Sequence, residues 1–175
     1  IPSKETASMK TISLVPALSF ILLVLAQVMV FNHLHILGGI NPMLYLLFFF
    51  VYRFESNQTV LIVLAFLLGF SIDFLSQSGG AHAIATLTIG FLRPLIIRYA
   101  FGVTMETPQS YFSDTRTLNK LIYLLLLVLL HHSLYFTLVY FSWEALFLIA
   151  KNTILTSIFS LILIGITLSF YPNKK

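Results

Sequence analysis

The chain has 175 residues, of which 58% are hydrophobic and 9% charged, and its ten Lys and Arg outnumber six Asp and Glu for a formal charge of +4. Soluble proteins average about 45–50% apolar and about 25% charged residues, so this composition excludes a soluble globular domain and marks an integral membrane protein. In that setting the positive balance points to membrane topology and anionic lipid headgroups rather than nucleic acid, and the absence of Cys excludes disulfides, thiolate metal sites and thiol nucleophiles.

A spanning helix takes roughly 20 apolar residues, so the length holds at most six or seven spans and leaves no room for a soluble domain. Lipid offers the backbone no hydrogen-bond partners, so the expected fold is all-α: a six-helix transmembrane bundle. Ile1 to Ser8 read as residues foreign to the natural chain, because Met9-Lys10 opens a typical charged start. Residues 9–175 then form one membrane domain, with spans expected over Ile12 to Asn32, Ile36 to Tyr52, Thr59 to Ser76, Ala81 to Tyr99, Leu121 to Ser142, and Asn152 to Tyr171. The first run is longer than the apolar core of a signal peptide and lacks a clear small-x-small cleavage site, so it should stay in the membrane.

Threading these spans from an inside amino terminus puts Lys4, Lys10, Arg53, Arg93, Arg98, Arg116, Lys120, Lys174 and Lys175 on one side and only Lys151 on the other. Excess Lys and Arg marks the cytoplasmic face, so six spans with both termini inside are expected.

The second span is unusual, since its dense run Met43 to Tyr52 would be only about 15 Å of helix. Asn41-Pro42 predicts an N-cap followed by Pro at the first helical position. The preceding His33 to Ile40, with Gly38-Gly39, is then either irregular backbone shielded by protein or a short, Gly-weakened helix from Ile36. Phe101 to Asn119 is the one substantial loop, with Thr107-Pro108-Gln109 as a breaker and Tyr111-Phe112 available to the interface. It is expected on the cytoplasmic side, as a membrane-hugging connector or an interfacial docking element.

The third span carries Ala65, Gly69, Asp73 and Ser76 on one helical face, and the fourth carries His82, Thr86, Gly90 and Arg93 at matching spacings. Only Gln77 to Gly80 separates the spans, predicting an antiparallel hairpin. In a symmetric hairpin, facing positions total a constant, here 158 or 159: Ser76 with His82, Asp73 with Thr86, Gly69 with Gly90, and Ala65 with Arg93. Gly69 opposite Gly90 predicts a close helix crossing. Asp73 lies about one turn below the outer surface, where Thr86, His82 or Ser76 would reduce an insertion penalty of order 2.5–3.5 kcal/mol at the bilayer centre. Arg93 is expected to snorkel to headgroups, with Pro94 kinking or ending the helix after it. Asp73 and His82 admit two readings, a structural clasp or a functional acid and base.

At this hairpin the chain resembles the MreD family of rod shape-determining proteins. The likeness is carried by Asn41-Pro42-Met43-Leu44-Tyr45, the run Phe66 to Ser76, Gly80-Ala81-His82-Ala83, and Gly90-Phe91-Leu92-Arg93-Pro94. It extends over about Thr11 to Tyr171 and is most specific between Asn41 and Pro94. It implies a component of the bacterial elongasome in the cytoplasmic membrane, binding MreC and working with the actin-like MreB, the glycosyltransferase RodA and its partner transpeptidase. The family is also distantly similar to the six-helix substrate-binding components of vitamin uptake transporters, a likeness of fold that does not transfer function.

Other groups carry weaker signals. His33 and His35 lie toward the outer face with Asp73 and His82, but an i,i+2 pair diverges on a helix, so no metal site is expected. His131-His132 fall near the middle of the fifth span, where at least one should face protein, as a neutral hydrogen-bonded imidazole or as a ligand or proton relay. Trp143 and Glu144 read as an interfacial anchor. The chain lacks a Gly-x-Ser-x-Gly elbow, a His-Glu-x-x-His pair and a phosphate-binding Gly-rich loop. The expected function is a noncatalytic, cofactor-free membrane scaffold that binds MreC and couples MreB filaments to peptidoglycan synthesis. The alternatives are a small-molecule binding subunit of a transporter and an intramembrane enzyme using Asp73 and His82.

Overall fold

The computed structural model of the protein describes residues 15–51, 58–102 and 117–170. Its helices are α1 (Val15–Met29), α2 (Leu47–Val51), α3 (Gln58–Ser76), α4 (Ala81–Phe101), α5 (Thr117–Tyr140) and α6 (Leu146–Ser169), with single 3-10 turns at Phe31–His33, Leu44–Leu46 and Trp143–Ala145. No strand occurs among the described residues, where β pairing is limited to an isolated bridge between Ile36 and Ile40.

Among the described residues, four helical stretches are long and apolar enough to cross a membrane: Gln58–Ser76, Ala81–Phe101, Thr117–Tyr140 and Trp143–Ser169. They match the third to sixth expected spans closely. The last two begin several residues earlier than apolar content alone indicates, because polar residues such as Asn119 and Lys120 continue the helix at its end. Helix α1 has 15 described residues, about 22 Å of helix against about 30 Å of hydrocarbon.

The second expected span is corrected. No helix crosses between residues 36 and 51. The chain leaves α1 and folds back on itself, with Ile36 N donating to Ile40 O (2.8 Å) and Ile40 N to Ile36 O (2.9 Å). His35, Leu37 and Gly38 take positive φ, a run no helix from Ile36 can accommodate. Regular structure resumes only at Leu44, and the expected cap at Asn41-Pro42 is also corrected. Met43 occupies the cap position and provides no side-chain bond, while the Asn41 Oδ1 accepts from His35 N at 2.9 Å and stabilises the irregular loop instead.

The Leu44 helix is buried on every side. Met43 to Phe49 are all buried, and Tyr45, Leu46 and Phe49 are fully inaccessible. This accounts for the density of apolar residues there, since a helix with no polar face must be enclosed. Helices α6, α5, α4, α3 and α1 pack successively in an arc, and the Leu44–Leu46 turn touches both its ends, α1 and α6. The short helix is thus the plug of the bundle.

Several expectations fall on residues outside the described ones: Ile1 to Ser8, Lys10, Arg53, Arg116, Lys174, Lys175, and positions 103–116 of the long loop. Among the described cations, Arg98 and Lys120 lie at the end of the bundle opposite the Gln77–Gly80 connection, and Lys151 lies toward the connection end.

Candidate functional site

The polar centre begins where α3 meets α4. The Asp73 side chain is 7% exposed, and its acceptors are directed at the amino-terminal turn of α4. His82 N donates to Oδ1 (3.2 Å), Ala83 N to Oδ2 (2.7 Å), and the Ser78 hydroxyl also to Oδ1. The first N–H groups of a helix lack intrahelical acceptors and carry the positive end of its dipole, so a carboxylate is well matched to them. Gly80, with φ of 91°, starts α4 and has no side chain to cap it. Asp73 caps α4 from the neighbouring helix.

This cap changes the expected register. Facing pairs total 155, not 158 or 159: Asp73 meets His82, Gly69 meets Thr86, and Ala65 meets Gly90. Drawing the first turn of α4 onto Asp73 slides it by about one turn along α3. Gly69 therefore does not oppose Gly90. A Cβ at Gly69 would stand 2.5 Å from His82 O and 2.6 Å from Ala83 Cα, whereas one at Gly90 would meet the Ala65 Cβ at 2.9 Å. Thr86 does not reach Asp73, since its hydroxyl is bonded to His82 O and Ala83 O of its own helix (2.8 and 3.1 Å). Ser76 accepts from Asn32 Nδ2 at 2.8 Å, tying α3 to the end of α1.

The His82 side chain points away from the carboxylate, into the bundle. Its Nδ1 lies 2.8 Å from the Tyr45 hydroxyl, which also lies 3.0 Å from His131 Nε2. One phenol has one proton, and Met43 Sδ at 3.6 Å is a third acceptor within its reach, so at least one of the two imidazoles donates an N–H to the Tyr45 oxygen. His132 turns to α6. Its Nδ1 is 2.7 Å from Val128 O and must carry the proton, because a carbonyl only accepts, and its Nε2 is 3.4 Å from Ser160 Oγ. Both imidazoles are fully buried, because α5 is gripped between α4 and α6 and the two adjacent residues face different neighbours.

Gln27 of α1 organises the start of the Leu44 helix. Its Oε1 accepts from Leu44 N (2.9 Å) and Tyr45 N (3.4 Å), and its Nε2 donates to Pro42 O (3.0 Å) and Asn32 Oδ1 (2.9 Å). Ser160 accepts from Met43 N at 2.9 Å. The sequence carries signals for these residues outside the two hairpin stripes. Gln27 is the single amide within an apolar run, Tyr45 follows Pro42 at the head of the plug, and Thr153, Thr156, Ser157 and Ser160 repeat at helical spacing on the buried face of α6.

Toward the opposite end, Arg93 is 5% exposed and does not snorkel. Its Nε donates to the Tyr123 hydroxyl (2.9 Å), which donates to Phe49 O (3.0 Å), so the guanidinium helps hold the far end of the plug. Helix α4 continues through Pro94 to Phe101. A proline removes the N–H of its own position, here the one that would bond Gly90 O, and its ring crowds that same carbonyl, yet the helix continues past it.

A recess of about 400 Å³ opens beside His82 at the connection end, bounded by the 31–43 segment, the end of α3, and Tyr135 of α5. The Tyr135 ring lies against His82 with centroids 4.5 Å apart. Among the described residues, no three His, Asp or Glu side chains gather in a metal-binding arrangement. No protein-family model, curated protein or solved structure matches this chain.

Proposed function

We propose that the protein is a membrane scaffold of the bacterial elongation machinery, related to MreD, whose chain crosses the cytoplasmic membrane six times with both termini inside, the second crossing being made inside the bundle by the irregular 31–43 segment and the short plug helix rather than by a spanning helix. It binds MreC and couples cytoplasmic MreB filaments to peptidoglycan synthesis by RodA and its transpeptidase.

The observation that carries this reading is the convergence of the segments on which the resemblance rests. Residues 41–45, the 66–76 run, 80–83 and 90–94 are separated in sequence, yet Tyr45, Gly69, Asp73, His82 and Arg93 are buried in one interlocked body, with Tyr45 bonded to His82, Asp73 to backbone and Arg93 to Tyr123. This placement supports a role in fixing a shape. The opposite side of α3 exposes Val63, Phe66, Phe70 and Phe74, and the three Phe rings stack along the helix at 5.7 and 6.3 Å. A rigid apolar ladder of this kind suits a single-span partner helix, which associates in lipid by packing.

Depletion in a rod-shaped host should round the cells, and MreC should copurify. Because the chain has no native Cys, Phe70→Cys provides a unique crosslinking handle, expected to capture the MreC span. Retention of rod shape on depletion, or loss of MreC on purification, overturns the proposal.

A further inference from the structure

We propose that the recess beside His82 is a binding site for an uncharged heteroaromatic molecule with hydrogen-bonding edges. Its volume of about 400 Å³ falls within the roughly 300–1,000 Å³ of small-molecule sites.

The lining holds polar groups with unused capacity. Asn41 uses its Oδ1 on His35 N, leaving the amide NH2. Ser76 accepts from Asn32, leaving its hydroxyl proton. His82 is 4% exposed and uses Nδ1 on Tyr45, leaving Nε2. The Tyr135 hydroxyl has no hydrogen-bond partner among the described residues, and its ring, packed against His82, supplies a flat wall. Four hydrogen-bonding groups from four parts of the fold converge on one recess with an aromatic side, an arrangement that orients a planar ligand by its edges.

Charge selects among such ligands. No Lys, Arg, Asp or Glu lines the recess. The nearest carboxylate, Asp73, lies behind Ser78 and His82 with both oxygens engaged by N–H and O–H donors. Apart from the His33 imidazole, an anion would meet no countercharge, and it would meet the field of a buried carboxylate, while a cation would find no accessible acceptor charge. A neutral ring loses least on leaving water.

The site is independent of the scaffold reading, and the two fail separately. The test uses the full chain in detergent, by calorimetric titration and thermal unfolding, with nicotinamide and uracil as neutral probes and nicotinate, orotate and 1-methylnicotinamide as charged counterparts of the same rings. At least one neutral probe should bind at millimolar concentration or better and raise the unfolding midpoint, with its charged counterparts at least tenfold weaker. Tyr135→Ala should abolish binding. Asn41→Ala, at a half-exposed position, should weaken it about tenfold, and cooperative thermal unfolding of each ligand-free variant separates loss of binding from loss of fold. Failure of both neutral probes to bind, equal binding of the charged forms, or binding unchanged in Asn41→Ala overturns the proposal.

Discussion

Two helices in this molecule begin inside the bundle without a capping residue of their own, and each takes its cap from another helix. At α4 the cap is the carboxylate of Asp73; at the Leu44 helix it is the amide of Gln27. The partners explain the choice of group. Every group presented to Asp73 is a donor, two backbone N–H groups and one hydroxyl, and an acceptor-only carboxylate satisfies all three. Gln27 faces N–H groups on one side and the Pro42 carbonyl on the other, so it must accept and donate at once, which a carboxylate cannot do. Gln27 is also fully buried, where an ion would be costly, while Asp73 lies beside the exposed connection.

The largest expected effect comes from removing the charged cap. Asp73→Ala leaves His82 N and Ala83 N without acceptors, while the partly exposed Ser78 hydroxyl can turn to water, and at about 1–3 kcal/mol for each of the two buried N–H groups the loss should be about 2–6 kcal/mol. Asp73→Asn should cost about half, because one amide oxygen still accepts while the NH2 meets another donor. Reversible unfolding in mixed detergent micelles measures both. A loss below about 1 kcal/mol for the Ala variant would reduce the cap to an incidental contact.

The reciprocal exchange sharpens the contrast. Gln27→Glu is nearly isosteric and keeps acceptors for Leu44 N and Tyr45 N, yet it abandons the donations to Pro42 O and Asn32 and places a carboxyl in a fully enclosed site. We expect a loss of about 2–4 kcal/mol in the same assay. A neutral result would mean that any acceptor suffices at this helix start.

The long helices were legible in the sequence because each is a continuous apolar run of spanning length, and α3 to α6 lie where those runs lie. The plug was half legible. Its fifteen-ångström length showed that it cannot cross alone as a helix, but its start at Met43-Leu44 depends on Gln27, 17 positions from Leu44, and Ser160, 117 positions from Met43, and no local capping rule contains them. The hairpin stripe was legible as a face and not as a register. Symmetry about the connection places facing residues level, whereas the actual alignment follows one side chain reaching backbone N–H groups, which side-chain periodicity does not encode. Arg93 was assigned to headgroups from its depth alone, and its Tyr123 partner comes from a helix 30 residues on.

Two glycines offer the finest test of that register. Gly69 sits against backbone, so Gly69→Ala forces the helices apart and should cost about 2–3 kcal/mol, at the upper end for overpacking. Gly90 meets only the methyl of Ala65 at close range, so Gly90→Ala should cost about 1 kcal/mol. The double variant Ala65→Gly/Gly90→Ala moves that methyl from α3 to α4 and should recover most of the loss, a coupling that a double-mutant cycle isolates. In the symmetric register Ala65 faces Arg93 and Gly90 faces Gly69, and the exchange would rescue nothing. Additive single and double losses would therefore return Gly69 and Gly90 to opposite sides of one crossing and remove the one-turn shift attributed to Asp73.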